Sequence, residues 1–106
     1  MTDESEEAVL IYLEKVLVHG SNDDVRAVAA EKIGELESER GIEVLAKGLN
    51  DPDEDVRETI VEALGKIGGT NALPLLREAL KDGNADIREA AADLIEEIEE
   101  DENETE

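Results

Sequence analysis

From Ala8 onward, Val9, Leu10, Leu13, Val16 and Leu17 recur at the three- and four-residue spacing of one helix face, and His19-Gly20 closes the segment. Thr2 or Ser5 is available as its N-cap. Glu6 and Glu7 would then sit in the first turn, where the helix dipole favours carboxylates. After a polar turn at residues 21–24, a second helix is expected over about residues 25–37, with the buried stripe Val25, Ala29, Ile33 and Leu36. Residues 39–41 turn the chain into a shorter helix carrying Ile42, Val44, Leu45 and Leu49. Asn50-Asp51-Pro52 breaks it and the pattern restarts. Val56, Ile60, Leu64 and Ile67 repeat the stripe, and Gly68-Gly69 stops it. Residues 71–80 give the next short helix, with Pro74 tolerated in its first turn, and residues 85–99 give the last. Residues 101–106, without an apolar anchor, are expected to form a disordered acidic tail.

These elements recur at a fixed offset. Asp24-Val25-Arg26, Asp55-Val56-Arg57 and Asp86-Ile87-Arg88 lie 31 residues apart, each preceded by an N-cap residue: Asn22, Asp53 and Asn84. At the same phase Ile33, Leu64 and Ile95 coincide, as do Leu36, Ile67 and Ile98, while Ala30, Val61 and Ala92 keep one flank slim. Two helices per 31-residue unit predict an all-α fold, an α-α superhelix built as a short solenoid of three helical hairpins. The expected organisation is one domain over residues 1–100, with units at about 5–37, 41–68 and 71–99.

Composition narrows what such a stack can do. The chain has 106 residues with Tyr12 as its one aromatic, so a core of Ala, Leu, Ile and Val must bring thin helices close together. A net charge of −21 opposes nucleic acid and anionic membrane and favours a basic protein partner, or a high-salt cytosol that screens the charge. The absence of Cys removes disulfides, thiolate metal sites and Cys nucleophiles. The start of the chain has no basic region and no long apolar run, which gives cytoplasmic as the expected location.

The middle copy resembles a HEAT-like repeat of the short type found in phycobilisome lyases. The likeness rests on Asp53-Glu54-Asp55-Val56-Arg57, on residues 62–68 (EALGKIG), on Ala72-Leu73-Pro74-Leu75-Leu76 and on Glu78-Ala79-Leu80, and extends over roughly residues 8–98. The resemblance implies that the first helix of each unit lies on the convex side and the second on the concave side, which usually binds another protein. It also implies that Asp51 and Asp82 pair with the following Arg57 and Arg88, whereas Gly20 precedes Arg26 and marks the first unit as a cap. Glu96 stands where Gly34 and Gly65 stand in the earlier copies, implying that no further unit stacks there. With no Cys and one His, bilin-lyase chemistry does not carry over.

Candidate chemistry reduces to structure in most places. Asp51, Asp53 and Asp55 with Glu62 mimic the spacing of a calcium loop, but Val56 occupies the position that needs Gly, so capping and dipole complementarity are the better reading. His19 reads as a helix C-terminal residue, and Ser21, Ser38 and Thr59 have no His partner for a triad. Arg26, Arg57 and Arg88 are expected to tie adjacent units to carboxylates. No catalytic, cofactor or metal residue is assigned, and the protein is expected not to be an enzyme.

What remains is the outward stripe of the second helices: Glu31 and Glu35, then Glu58, Glu62 and Lys66, then Glu89, Asp93 and Glu97. Stacked, these form a negative strip. The expected function is a non-enzymatic interaction module holding a basic partner segment on this concave face. The alternative is an accessory subunit or chaperone of a cofactor-related enzyme. A monomer or weak homodimer is expected, with Ile11, Tyr12 and Leu13 near the start of the chain as a candidate contact.

Overall fold

The computed structural model describes residues 4–104, the side chains of residues 103 and 104 excepted. Six α-helices are present among the described residues: α1 (Glu4–His19), α2 (Asp23–Glu35), α3 (Arg40–Ala46), α4 (Glu54–Ile67), α5 (Leu73–Ala79) and α6 (Ala85–Glu104), with one 3-10 turn at Thr70–Ala72. Each long helix packs on the short or long helix before it: α1 on α2, α3 on α4, α5 on α6. The hairpins then stack through α2 on α4 and α4 on α6, giving a two-layer slab of 40 × 38 × 16 Å.

Local chemistry starts these helices where the repeat predicts. Asn22 Oδ1 accepts the Val25 N–H at 2.9 Å, Asp53 Oδ1 those of Asp55 and Val56 at 2.8 and 3.1 Å, and Asn84 Oδ1 those of Asp86 and Ile87 at 2.8 and 3.2 Å. Pro74 sits in the first turn of α5, and Gly68 and Gly69 leave α4 at φ of +69° and +80°. α2 starts and stops two residues earlier than its expected span, because Glu37 takes a left-handed conformation (φ +52°) and ends the helix. α1 begins at Glu4, so Ser5 lies within the helix rather than capping it, and Thr2 lies outside the described residues. Residues 101–104 continue α6 instead of fraying, and residues 105 and 106 lie outside the described residues.

The core is one cluster running through all three hairpins, from Leu10, Leu13 and Leu17 through Ile33, Leu45, Val56, Ile60 and Leu64 to Leu76, Ile87 and Ile98. Its thinness has a cause. A Cβ on Gly34 would stand 2.8 Å from the Ala63 Cβ, so α2 and α4 meet almost backbone to backbone. Leu94 fills the space over Gly65 in the same way, its Cδ2 lying 2.6 Å from where a Cβ would be. Two expected core residues are not in it: Val25 and Leu36 are each 38% exposed. Their counterparts Val56 and Ile87, and Ile67 and Ile98, are covered by the preceding hairpin, and among the described residues no hairpin precedes that of α2. Leu13, expected at a surface contact, is buried.

Arginine ties hold the stack in register, in the direction opposite to that implied by the resemblance. Arg26 donates through Nε and Nη2 to the Asp51 carboxylate (2.8 and 3.1 Å), and Arg57 donates likewise to Asp82 (2.9 and 3.2 Å), each 25 residues ahead. Behind it each Arg donates Nη1 to a backbone carbonyl six residues back: Gly20 for Arg26, Asp51 for Arg57 and Asp82 for Arg88. A carbonyl needs no side chain, which is why Gly20 serves Arg26 as well as an aspartate would. Burial alone would push the Asp51 and Asp82 carboxyls up. The Arg hydrogen bond, a backbone N–H from Asp53 or Asn84, and the fields of the flanking arginines together hold both below the usual carboxylate range.

Candidate protein-binding surface

The strip residues occupy three different settings on the outer row of α2, α4 and α6. Glu31, Glu62 and Lys66 come together with Thr59 and Ala63 around a shallow groove of about 80 Å³ between α2 and α4. Glu62 and Lys66 also border the next depression, about 420 Å³, with Asp93, Ala90 and Leu94 of α6. Lys66 therefore stands at the centre, with acids from all three helices around it.

Glu58 is half-buried. Its carboxyl is pushed up, first by burial, then by the negative fields of Glu62, Asp86, Asp55 and Glu54. Glu54 and Asp55 are in the first turn of α4, and Asp86 is in the first turn of α6, where they complement the helix dipoles. The two N-terminal turns stack side by side, so residues placed for local reasons become a shared negative field around Glu58.

Glu35, Glu89 and Glu97 stand apart from this centre. Glu35 pairs with Lys32 at 3.6 Å. Glu89 is exposed in the early part of α6. Glu97 borders a hollow of about 410 Å³ at the end of α4, whose rim includes Glu39, Asp101 and Glu102 and whose wall includes Leu94 and Ile98. Sequence reading missed the contribution of Glu54, Asp55 and Asp86, and of Glu39, Asp101 and Glu102. The stacked first turns were a usable signal for the first set. The second set depends on α6 running past the end of α4, which the polar sequence of residues 100–104 concealed.

Carboxylates that mimicked a calcium loop are engaged otherwise. Asp51 accepts from Arg26 and from the Asp53 N–H, Asp53 caps α4, and Glu62 lies along the helix facing outward. His19 is the last residue of α1 and is exposed. Among the described residues no group of three or more His, Cys, Asp or Glu side chains is arranged to hold a metal ion, and no helix is long and apolar enough to cross a membrane.

Stacked hairpins with this cap, tie and small-residue pattern have a counterpart among known families: residues 12–96 match the family of HEAT repeats. The chain belongs to that family. The match spans all three hairpins, and HEAT repeats generally mediate protein–protein interaction. No curated protein matches the chain. The exposed outer row of the second helices carries the crowded acids.

Proposed function

We propose that this HEAT protein is a non-enzymatic interaction module that holds a basic segment of a partner protein along α2, α4 and α6. The observation that carries the reading is Glu58: a carboxyl raised by burial and by four neighbouring acids sits in a negative field that a cationic side chain would relieve. Glu31, Glu62 and Asp93 extend the field across three helices, and Glu35, Glu89 and Glu97 flank it. Lys66 interrupts the negative strip and would disfavour a cation directly above it, giving the partner's charges a register.

Binding of this kind is electrostatically steered and weakens with salt. The test is affinity purification from the native host, followed by titration of the basic protein that co-elutes. Reversing Glu58, Glu62 and Glu89 to Lys should weaken that partner at least tenfold and flatten its salt dependence. Unchanged affinity in the triple variant rules the strip out.

A further inference from the structure

The two ends of the stack are chemically unlike. α4 turns Val56, Thr59, Ala63 and Ile67 toward α2, as shown by the Gly34–Ala63 approach, and α6 turns the equivalent Ile87, Ala90, Leu94 and Ile98 toward α4. The matching set in α2 is Val25, Val28, Lys32 and Leu36, and among the described residues no helix covers it; Val28 is 51% exposed.

The first layer repeats this in sharper form. α3 turns Arg40, Glu43, Val44 and Lys47 to the groove it shares with α1, where Arg40 pairs with Glu7 and Lys47 with Glu14. One period earlier those four positions are Val9, Tyr12, Leu13 and Val16; one period later they are Asn71, Pro74, Leu75 and Glu78. Leu13 is buried and Val16 packs partly against the core, so the contrast lies at Val9 and Tyr12, whose positions are polar or Pro in the two later copies. Tyr12 is 66% exposed and Val9 43%. A face ending in water would show the reverse trend.

From this we infer that the α1–α2 end is a docking face for a second copy of this chain, joined by a two-fold axis. Head-to-tail stacking is unavailable. Glu96 of α6 replaces Gly34 and Gly65, the position at which α2 and α4 admit their neighbours so closely. Arg88 would also find Gly20 where Arg26 and Arg57 find aspartates. The opposite end is thus closed to this face, leaving face against like face.

Charge points the same way. On a chain of net charge −21 this face presents Lys32 beside Glu35, an adjacent cation and anion that a two-fold lets cross-pair between copies. Helices of this length, at about 1.5 Å per residue and about 10 Å across each, give a footprint of roughly 400 Å² per copy. That is below the roughly 800 Å² per partner of stable complexes, so the dimer is weak and forms in concentrated solution.

Sedimentation equilibrium from about 10 µM to 1 mM, at low salt and in about 1 M KCl, tests this. The mass should rise from 11.5 kDa toward twice that value, and more readily at high salt, which screens repulsion between like-charged copies. Tyr12, as the sole aromatic, should change its emission over the same concentration range. Tyr12→Glu and Val28→Glu, both at exposed positions, should keep full helical circular dichroism and lose the dimer. A monomer under all conditions, a dimer untouched by both variants, association that weakens with salt, or growth beyond two copies would each overturn the proposal.

Discussion

Arg57 reaches 25 residues forward to clasp the Asp82 carboxylate with two hydrogen bonds, its side chain 18% exposed and that of Asp82 9%. Asp82→Ala leaves the guanidinium half-buried and without its carboxylate, and also takes an acceptor from the Asn84 N–H. The expected cost is about 1–3 kcal/mol, measured by urea unfolding followed by circular dichroism. Arg88 shares the backward carbonyl bond and, among the described residues, clasps no carboxylate 25 residues ahead, so Arg88→Lys should stay within about 0.5 kcal/mol of the parent. Equal losses at the two sites would show that the forward tie contributes nothing.

Stability should pass through a maximum on the acid side of neutrality. Glu58 has a raised carboxyl, so its ionisation opposes folding at pH 7, and that penalty is relieved as pH falls through its elevated range. Asp51 and Asp82 have depressed carboxyls; their contribution is complete above the ordinary carboxylate range, near pH 4, and is lost as pH falls below it. Thermal melts between pH 3 and pH 7 should therefore rise and then fall on acidification. Glu58→Gln removes like-charge pairs with Glu54 and Glu62 and should add about 0.5 kcal/mol at pH 7, with the gain vanishing at low pH.

Gly34 and Gly65 occupy the same repeat position against different neighbours. At Gly34 an added methyl meets the Ala63 Cβ at 2.8 Å and the Ala63 backbone at 2.9 Å, which cannot move without parting α2 from α4. At Gly65 it meets only the far end of Leu94, a side chain able to change rotamer. Gly34→Ala should cost about 1–3 kcal/mol and Gly65→Ala distinctly less. The order of the two melting temperatures decides the point.

Glu37 ends α2 at φ +52°, a conformation that costs a side-chain-bearing residue about 1–2 kcal/mol. Glu37→Gly should recover about 0.5–1 kcal/mol, some of the gain being offset by the freer unfolded chain. A melting temperature no higher than the parent's would mean that Glu37 is held by contacts worth as much as the strain.

Caps, core stripes and the close-packed glycines were legible because each is a local or periodic property. Asn22, Asp53 and Asn84 act on N–H groups two or three residues away. The direction of the arginine ties was not legible: Asp51 lies six residues before Arg57 and 25 after Arg26, and only the loop geometry turns its carboxylate to the distant partner. Nor was the exposure of Val25 and Leu36, since equivalence between copies hides whether anything lies above the first. The strip's residue types were readable and their grouping was not. Glu58 owes part of its field to Asp86, an acid that appeared only as a dipole partner of its own helix.

The forward tie also makes the stack divisible into interchangeable cassettes. Residues 51–81 contain the aspartate that answers the arginine of the preceding hairpin and the arginine that seeks the aspartate of the next. A second copy of that segment inserted after residue 81 would bring Asp51 to the existing Arg57, present its own Arg57 to Asp82, and set Gly65 beneath a helix with Ala63 at the contact. Lengthening this protein by duplication therefore requires no compensating change at either seam, and the lengthened stack keeps the α1–α2 face at one end and Glu96 at the other.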